Sequence, residues 1–331
     1  MAELNEIHPN LGEDWHLTKA DVKLHTKIQE GDTSVLWRGQ ARGAPCALKV
    51  LPSMESEEKQ AALMNEISCM LTAGQHPNVI AFIGARVEDM KEPIYALEFM
   101  SGLTLEDFLL QDNPCCPYNP PHNTIYWWMH QLFDGLAYLH SLKPMIIHRD
   151  LEPDSILISA DYNILKIGNF GASRRLDDFS SLIEDGLKGV RKKGYSMYFA
   201  PELREKKAPY NEKVDIFSAG LVCWRIATHE VIRDRDQWTN ADWRPDLELV
   251  EWPSIENIIE QCWVTDPASR PSAAAVLKKL ELIEDKPYAS NAAPLKAPGV
   301  VSCTCGPGKK KSRKVCKVCF AADALCNCTI M

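Results

Sequence analysis

His148-Arg149-Asp150-Leu151-Glu152-Pro153-Asp154-Ser155-Ile156-Leu157 decides how this chain is read. Alone the stretch is a weak signal. Its weight comes from what stands on either side in fixed order. Upstream, a strand-like segment carries Ala47-Leu48-Lys49 and a helical segment carries Glu66. Downstream come Asn169-Phe170-Gly171, Ala200-Pro201-Glu202, Asp215 at the head of DIFSAG, and CWVTDPASRPS with Arg270.

The length of 331 residues exceeds one ordinary domain and falls short of three, which predicts two packed lobes and a tail. With 45% hydrophobic and 25% charged residues, a largely disordered chain is excluded. No apolar run approaches ~18 residues, so no spanning helix is expected. The acidic N-terminus MAELNEIHPNLGEDW lacks the apolar run of a secretory signal. The net charge of −8 argues against a whole-surface nucleic-acid binder, and no nucleic-acid partner is expected. The charge is uneven. Residues 303–331 hold six Lys or Arg against Asp323, a net +5 that leaves −13 on the rest. Six of the 12 cysteines lie in the same tail: Cys303, Cys305, Cys316, Cys319, Cys326 and Cys328. Without a signal segment the compartment reads as cytoplasmic and reducing, which favours metal or lipid chemistry over disulfides.

Residues 20 to 100 are mostly strand-like. KLHTKIQE, SVLWRGQ and PCALKVLP read as three strands, and VIAFIGARVE and PIYALEFM as two more. Between them, Glu57 to about Thr72 spaces Leu63, Ile67, Met70 and Leu71 as a helix does. Helices dominate from residue 104. TIYWWMHQLFDGLAYLH is apolar enough to be buried, with Trp127-Trp128 in the core, and KVDIFSAGLVCWRIATH is a second helix. DNPCCPYNPPH (112–122) reads as a surface loop, 286–302 as a linker by composition, and no internal repeat appears.

The ordered motif set resembles the eukaryotic protein kinase domain over roughly residues 20–285, in its tyrosine-kinase-like branch, with a Ser/Thr-type catalytic loop. The resemblance implies an α+β, two-lobe, protein kinase-like fold: a β-rich small lobe over about 20–100 and a helical large lobe over about 101–285. Residues 1–19 form an N-terminal extension and 303–331 a basic Cys-rich tail. By the same resemblance Lys49 would meet the α- and β-phosphates of ATP, Glu66 would orient Lys49, and Asp150 would orient or deprotonate the accepting hydroxyl. The adenine slot would be Ile28, Leu36, Ala47 and Leu157, and the hinge Glu98-Phe99-Met100 after Leu97. An apolar column would run through Met70, Phe82, His148 and Phe170. Ser180-Ser181 and Tyr195-Ser196 fall in the activation segment as phosphosite candidates.

The chain departs from the family where phosphate and metal are held. Asn169 stands for the metal-binding aspartate, Ser155 for the metal-binding asparagine, and Glu152 for the loop lysine. These degraded Mg positions lose metal-binding charge and gain an anion near the γ-phosphate, where two unit charges ~4 Å apart repel by about 4 kcal/mol at an effective dielectric of 20. In the glycine-rich loop only Gly31 survives, with Gln29 and Ser34 at the other glycine places and acidic Asp32 beside it.

Three functions stay open at this level. One is a pseudokinase scaffold acting with signalling proteins, binding ATP with little or no phosphotransfer and with Mg weak or absent. The second is an active Ser/Thr-type kinase with atypical metal ligation. The third is a nucleotide-free adaptor whose tail binds zinc. The tail itself has two readings. Cys328-Thr329-Ile330-Met331 matches a farnesylation box, with Cys326 as a palmitoyl site and Lys309–Lys314 as a polybasic run, which would tether the protein to the cytoplasmic face of a membrane. Cys303, Cys305, Cys316 and Cys319 would instead supply four thiolates to zinc.

Overall fold

The computed structural model describes residues 13–31, 34–110, 122–176, 196–204, 209–232 and 240–284. The linker, the tail with Cys326 and Cys328, Asp32, Ser180, Ser181, Tyr195 and all but the end of the proline-rich loop lie outside them.

The small lobe begins with five strands: β1 (Val22–Glu30), β2 (Val35–Ala41), β3 (Ala44–Val50), β4 (Phe82–Arg86) and β5 (Ile94–Leu97). They form one antiparallel sheet in the order β1-β2-β3-β5-β4. Period-two alternation sends Cys46 and Leu48 of β3 into a core with Leu17, Ile94 and Ala96, and turns Ala47 and Lys49 to the other face. Helix α1 (Glu57–Ala73) packs beneath the sheet. It starts where the Ser56 hydroxyl accepts the Lys59 N–H and Glu57 and Glu58 sit in the first turn. It stops at Gly74, whose φ of 58° suits a residue without Cβ. The lobe reaches back past residue 20. Trp15 and Leu17 are buried in its two cores, and the Leu17 N–H donates to the Ala85 carbonyl at 2.8 Å.

After β6 (Leu103–Thr104) and the short α2 (Leu105–Leu109), the large lobe is built on α3 (His122–Ser141). Trp128, Leu132, Phe133, Leu136 and Leu139 are fully buried on α3. Burying each such side chain contributes about 1.5–3 kcal/mol. Trp127 only packs against this core as a partly buried neighbour. Short strands then shape the cleft floor: β7 (Met145–Ile147), β8 (Ile156–Ile158), β9 (Leu165–Ile167) and β10 (Arg174–Leu176). β6-β8-β9 form one sheet and β10-β7 another, so residues 148–155 are a loop clamped at both ends by strands. Behind them lie α4 (Pro201–Arg204), α5 (Lys213–Thr228), α6 (Pro253–Cys262) and α7 (Ala273–Glu281). The buried Arg270 joins Glu202 through two contacts, 2.5 and 3.0 Å, tying the end of the activation segment to the helical base.

Candidate active site

The register of the small-lobe sheet places the upper wall. Lys49 pairs with Tyr95 and Ala47 with Leu97, so all four side chains share the face toward α1 and the cleft. From α1, Glu66 rises to meet Lys49, with Nζ 3.3 Å from Oε1. The Tyr95 hydroxyl donates to the same Oε1 at 2.5 Å, and the Lys49 ammonium lies 5.1 Å from the Tyr95 ring centroid. Burial, together with the Glu66 charge, pushes the Tyr95 phenol well above its ordinary value, so it stays a donor.

The floor hangs from Asp215 of α5. Its Oδ1 accepts the Arg149 N–H and its Oδ2 the His148 N–H, each at 2.8 Å, and His140 Nε2 lies 2.9 Å from Oδ2. Burial would raise this carboxyl, but the hydrogen bonds and the neighbouring imidazoles outweigh it and hold the group below the usual carboxylate range. The anchorage supports a strained backbone: Arg149 and Asn169 have φ of 66° and 63°, which side chains other than glycine adopt at a cost. His148 Nε2 lies 2.8 Å from the Gly168 carbonyl oxygen, and its ring meets Phe170 edge-on at 5.5 Å. Burial pushes this imidazole below its usual range. Met70 and Phe170 belong to one core cluster and Phe82 packs against it.

Asp150, 3% exposed, is joined to Asn169. The Asn169 amide donates from Nδ2 to Asp150 Oδ2 at 3.2 Å. Ser155 is turned inward: its Oγ accepts the Glu152 N–H at 3.0 Å and faces the carbonyls of Glu152 at 2.8 Å and Asp150 at 3.0 Å. That hydroxyl caps its own loop. Glu152 accepts from the Ser196 hydroxyl at 3.0 Å, which brings the activation segment onto the catalytic loop.

The residues expected to hold the adenine differ in exposure. Ala47 is buried; Leu36, Leu157 and Met100 are half-buried; Ile28 is exposed. At the hinge, Lys166 Nζ lies 2.9 Å from both carboxylate oxygens of Glu98, binding β9 to the connection between the lobes. A Cβ on Gly31 would lie 3.5 Å from the Ser34 carbonyl oxygen, an ordinary contact, so the fold does not require this glycine. Sequence reading misses Tyr95 and Lys166, and takes Ser196 only as a phosphosite candidate, whereas its hydroxyl is held by Glu152. Alternation along β5 puts Tyr95 on the face of Leu97 and would have flagged it; Lys166 carries no such signal.

The chain belongs to the protein tyrosine and serine/threonine kinase family, whose model matches residues 22–280. It is 30% identical over 293 residues to the dual specificity protein kinase pyk3 of Dictyostelium discoideum, covering 85% of this chain and 20% of that protein. It is 28% identical over 268 residues to human mitogen-activated protein kinase kinase kinase 7, covering 78% and 41%. It is 28% identical over 286 residues to the Arabidopsis thaliana serine/threonine-protein kinase VIK, covering 82% and 63%. The chain thus spans between a fifth and about two fifths of the length of pyk3 and the human kinase.

The family implies ATP and Mg²⁺. For ATP, the apolar slot of Ile28, Leu36, Ala47 and Leu157, the backbone of Glu98–Met100 and the Lys49 ammonium are the groups that would hold it. For Mg²⁺ the donors do not fit. One ligand place is a neutral amide donating to Asp150, and the other is a hydroxyl spent on its own loop. Among the described residues no group of three or more His, Cys, Asp or Glu is arranged to hold a metal ion.

Proposed function

We propose that this chain is a pseudokinase: a signalling scaffold of the kinase fold that binds ATP through the adenine slot with little or no phosphotransfer. The observation that carries the reading is the Asn169–Asp150 hydrogen bond. An amide stands where a charged ligand would face a divalent cation, and it is spent on the very carboxylate that would serve the accepting hydroxyl. Glu152 adds a negative charge on the same side. The protein's own residues bind and orient the nucleotide but offer its phosphates little positive charge beyond Lys49.

A thermal-shift titration with ATP, alone and with Mg²⁺ or Mn²⁺, tests this. A shift that the metals barely change, and that Ala47→Phe removes by filling the slot, is expected. A metal enhancement of about 100-fold, some 2.7 kcal/mol, would show that Asn169 and Ser155 hold metal after all. The triple reversion Glu152→Lys, Ser155→Asn, Asn169→Asp is expected to raise phosphotransfer well above that of the native chain.

The Lys49–Glu66 pair and the placement of Asp150 favour a second reading, a slow Ser/Thr-type kinase with atypical metal ligation. Its mark is autophosphorylation approaching ~1 s⁻¹ that Asp150→Ala abolishes. For the tail we propose membrane association through the basic run and a lipid on Cys328 or Cys326, supported by the sequence pattern. Cys328→Ser should move the protein into the soluble fraction. An unmodified tail carrying zinc, seen by mass spectrometry, would discard this reading.

A further inference from the structure

In the kinase reading of the sequence, Glu66 has one partner, Lys49. The structure supplies another. Oε1 of Glu66 is shared, with the Tyr95 hydroxyl at 2.5 Å and the Lys49 ammonium at 3.3 Å. The two bonds differ in kind. The phenol is 2% exposed, lies at hydrogen-bonding distance and has two side-chain torsions to fix. Lysine is one-fifth exposed, sits at the long edge of a hydrogen bond and has a flexible four-carbon stem. A short hydrogen bond from a neutral donor to a buried carboxylate is the stronger restraint, because little of it is traded against water.

The geometry points to Tyr95 as the positioning residue that holds Glu66, and with it α1, against the cleft without help from Lys49 or a nucleotide. Three features of the fold make the bond an effective latch. Tyr95 is fixed on β5 between β3 and β4, so its hydroxyl cannot follow a departing helix. Glu66 lies in the middle of α1 and is 8% exposed, so moving it moves the helix. A Cβ on Gly171 would lie 3.8 Å from both Glu66 carboxylate oxygens, so the latched side chain also abuts the segment after Asn169. The consequence is a small lobe assembled before any ligand arrives, with the Lys49 ammonium left as a phosphate-facing cation and relieved of a structural task. The latch concerns the shape of the small lobe and stands whether or not the chain transfers phosphate.

Amide hydrogen exchange over Glu57–Ala73 in the full chain, without nucleotide, tests it. Tyr95→Phe keeps the ring and removes the bond, and should speed exchange in α1 on the order of tenfold, the loss of one buried bond to a charged group. Lys49→Met should change it by less than about twofold. Glu66→Gln keeps an acceptor for the phenol and should stay near native, whereas Glu66→Leu should match Tyr95→Phe. The double variant Tyr95→Phe, Glu66→Leu should exchange no faster than Glu66→Leu alone, because both remove the same bond. A packing role for Tyr95 would instead leave Tyr95→Phe native-like, or make the two effects multiply, and either result overturns the proposal. So does Lys49→Met loosening α1 as much as Tyr95→Phe, or Glu66→Gln loosening it as much as Glu66→Leu.

Discussion

The two walls of the cleft are organised by different chemistry. On the small-lobe wall, full charges face each other, Lys49 and Glu66 at 3.3 Å, with Tyr95 as a third partner. On the large-lobe floor the residues meet through neutral donors: the Asn169 amide on Asp150, the Ser155 hydroxyl on its own loop, and the Ser196 hydroxyl on Glu152. A floor closed by hydrogen bonds needs no cation to hold its shape, and its carboxylates, Asp150 and Glu152, are each engaged by a neutral donor. The wall that would grip a nucleotide and the floor that would act on it are thus held by different kinds of interaction.

The contrast can be strained most severely from beneath the floor. Asp215→Asn sets an amide against the His148 and Arg149 N–H groups, and should cost about 3–5 kcal/mol in urea unfolding, as removing a buried hydrogen-bonded charge does. The same group sets an acid limb. Its folded value lies below its unfolded one, so the stabilisation it brings is complete above about pH 4 and is lost as pH falls through the folded value. Stability of Asp215→Asn should accordingly vary less with pH below 4 than that of the native chain. An equal slope in both would remove Asp215 as the cause.

Next in size is Asn169→Asp, which turns the floor into the ionic kind. Two carboxylates would then meet where an amide now bridges, destabilising the chain by about 1–4 kcal/mol, and millimolar Mg²⁺ should restore the loss. Unchanged stability without metal would mean that the Asn169–Asp150 bond does not organise the floor. Ser155→Ala should cost about 1–2 kcal/mol by stranding the Glu152 N–H, with no change in nucleotide affinity. A loss of affinity instead would return Ser155 to the ligands. The smallest effect belongs to the eroded loop above the cleft. Gly31→Ala should stay within about 0.5 kcal/mol, and should leave ATP affinity untouched if phosphates no longer approach the backbone there.

Much of this molecule was legible in one dimension. The α1 boundaries, Glu57–Ala73, follow from the Ser56 cap, the apolar spacing and Gly74. The five strands of the small lobe follow from strand-like segments set between turn residues. The boundary at residue 20 fell short because Trp15 and Leu17 sit in a segment with no strand or helix pattern, and only contact with β4 makes them core residues.

The order of the motifs and the identities of Lys49, Glu66, Asp150, Ser155 and Asn169 are properties of the sequence, and they alone define the family and set a hydroxyl and an amide at the last two places. What those side chains do instead was decided by the tertiary structure. A hydroxyl at Ser155 is compatible with a metal ligand or a loop cap, and the backbone carbonyls that claim it are set by how the strand-clamped loop folds. Tyr95 and Glu66 are 29 residues apart, Lys166 and Glu98 are 68 apart, and Ser196 and Glu152 are 44 apart. No local spacing encodes such pairs, because a hydrogen bond depends on directions and distances that exist only after the strands have registered and α1 has packed beneath the sheet.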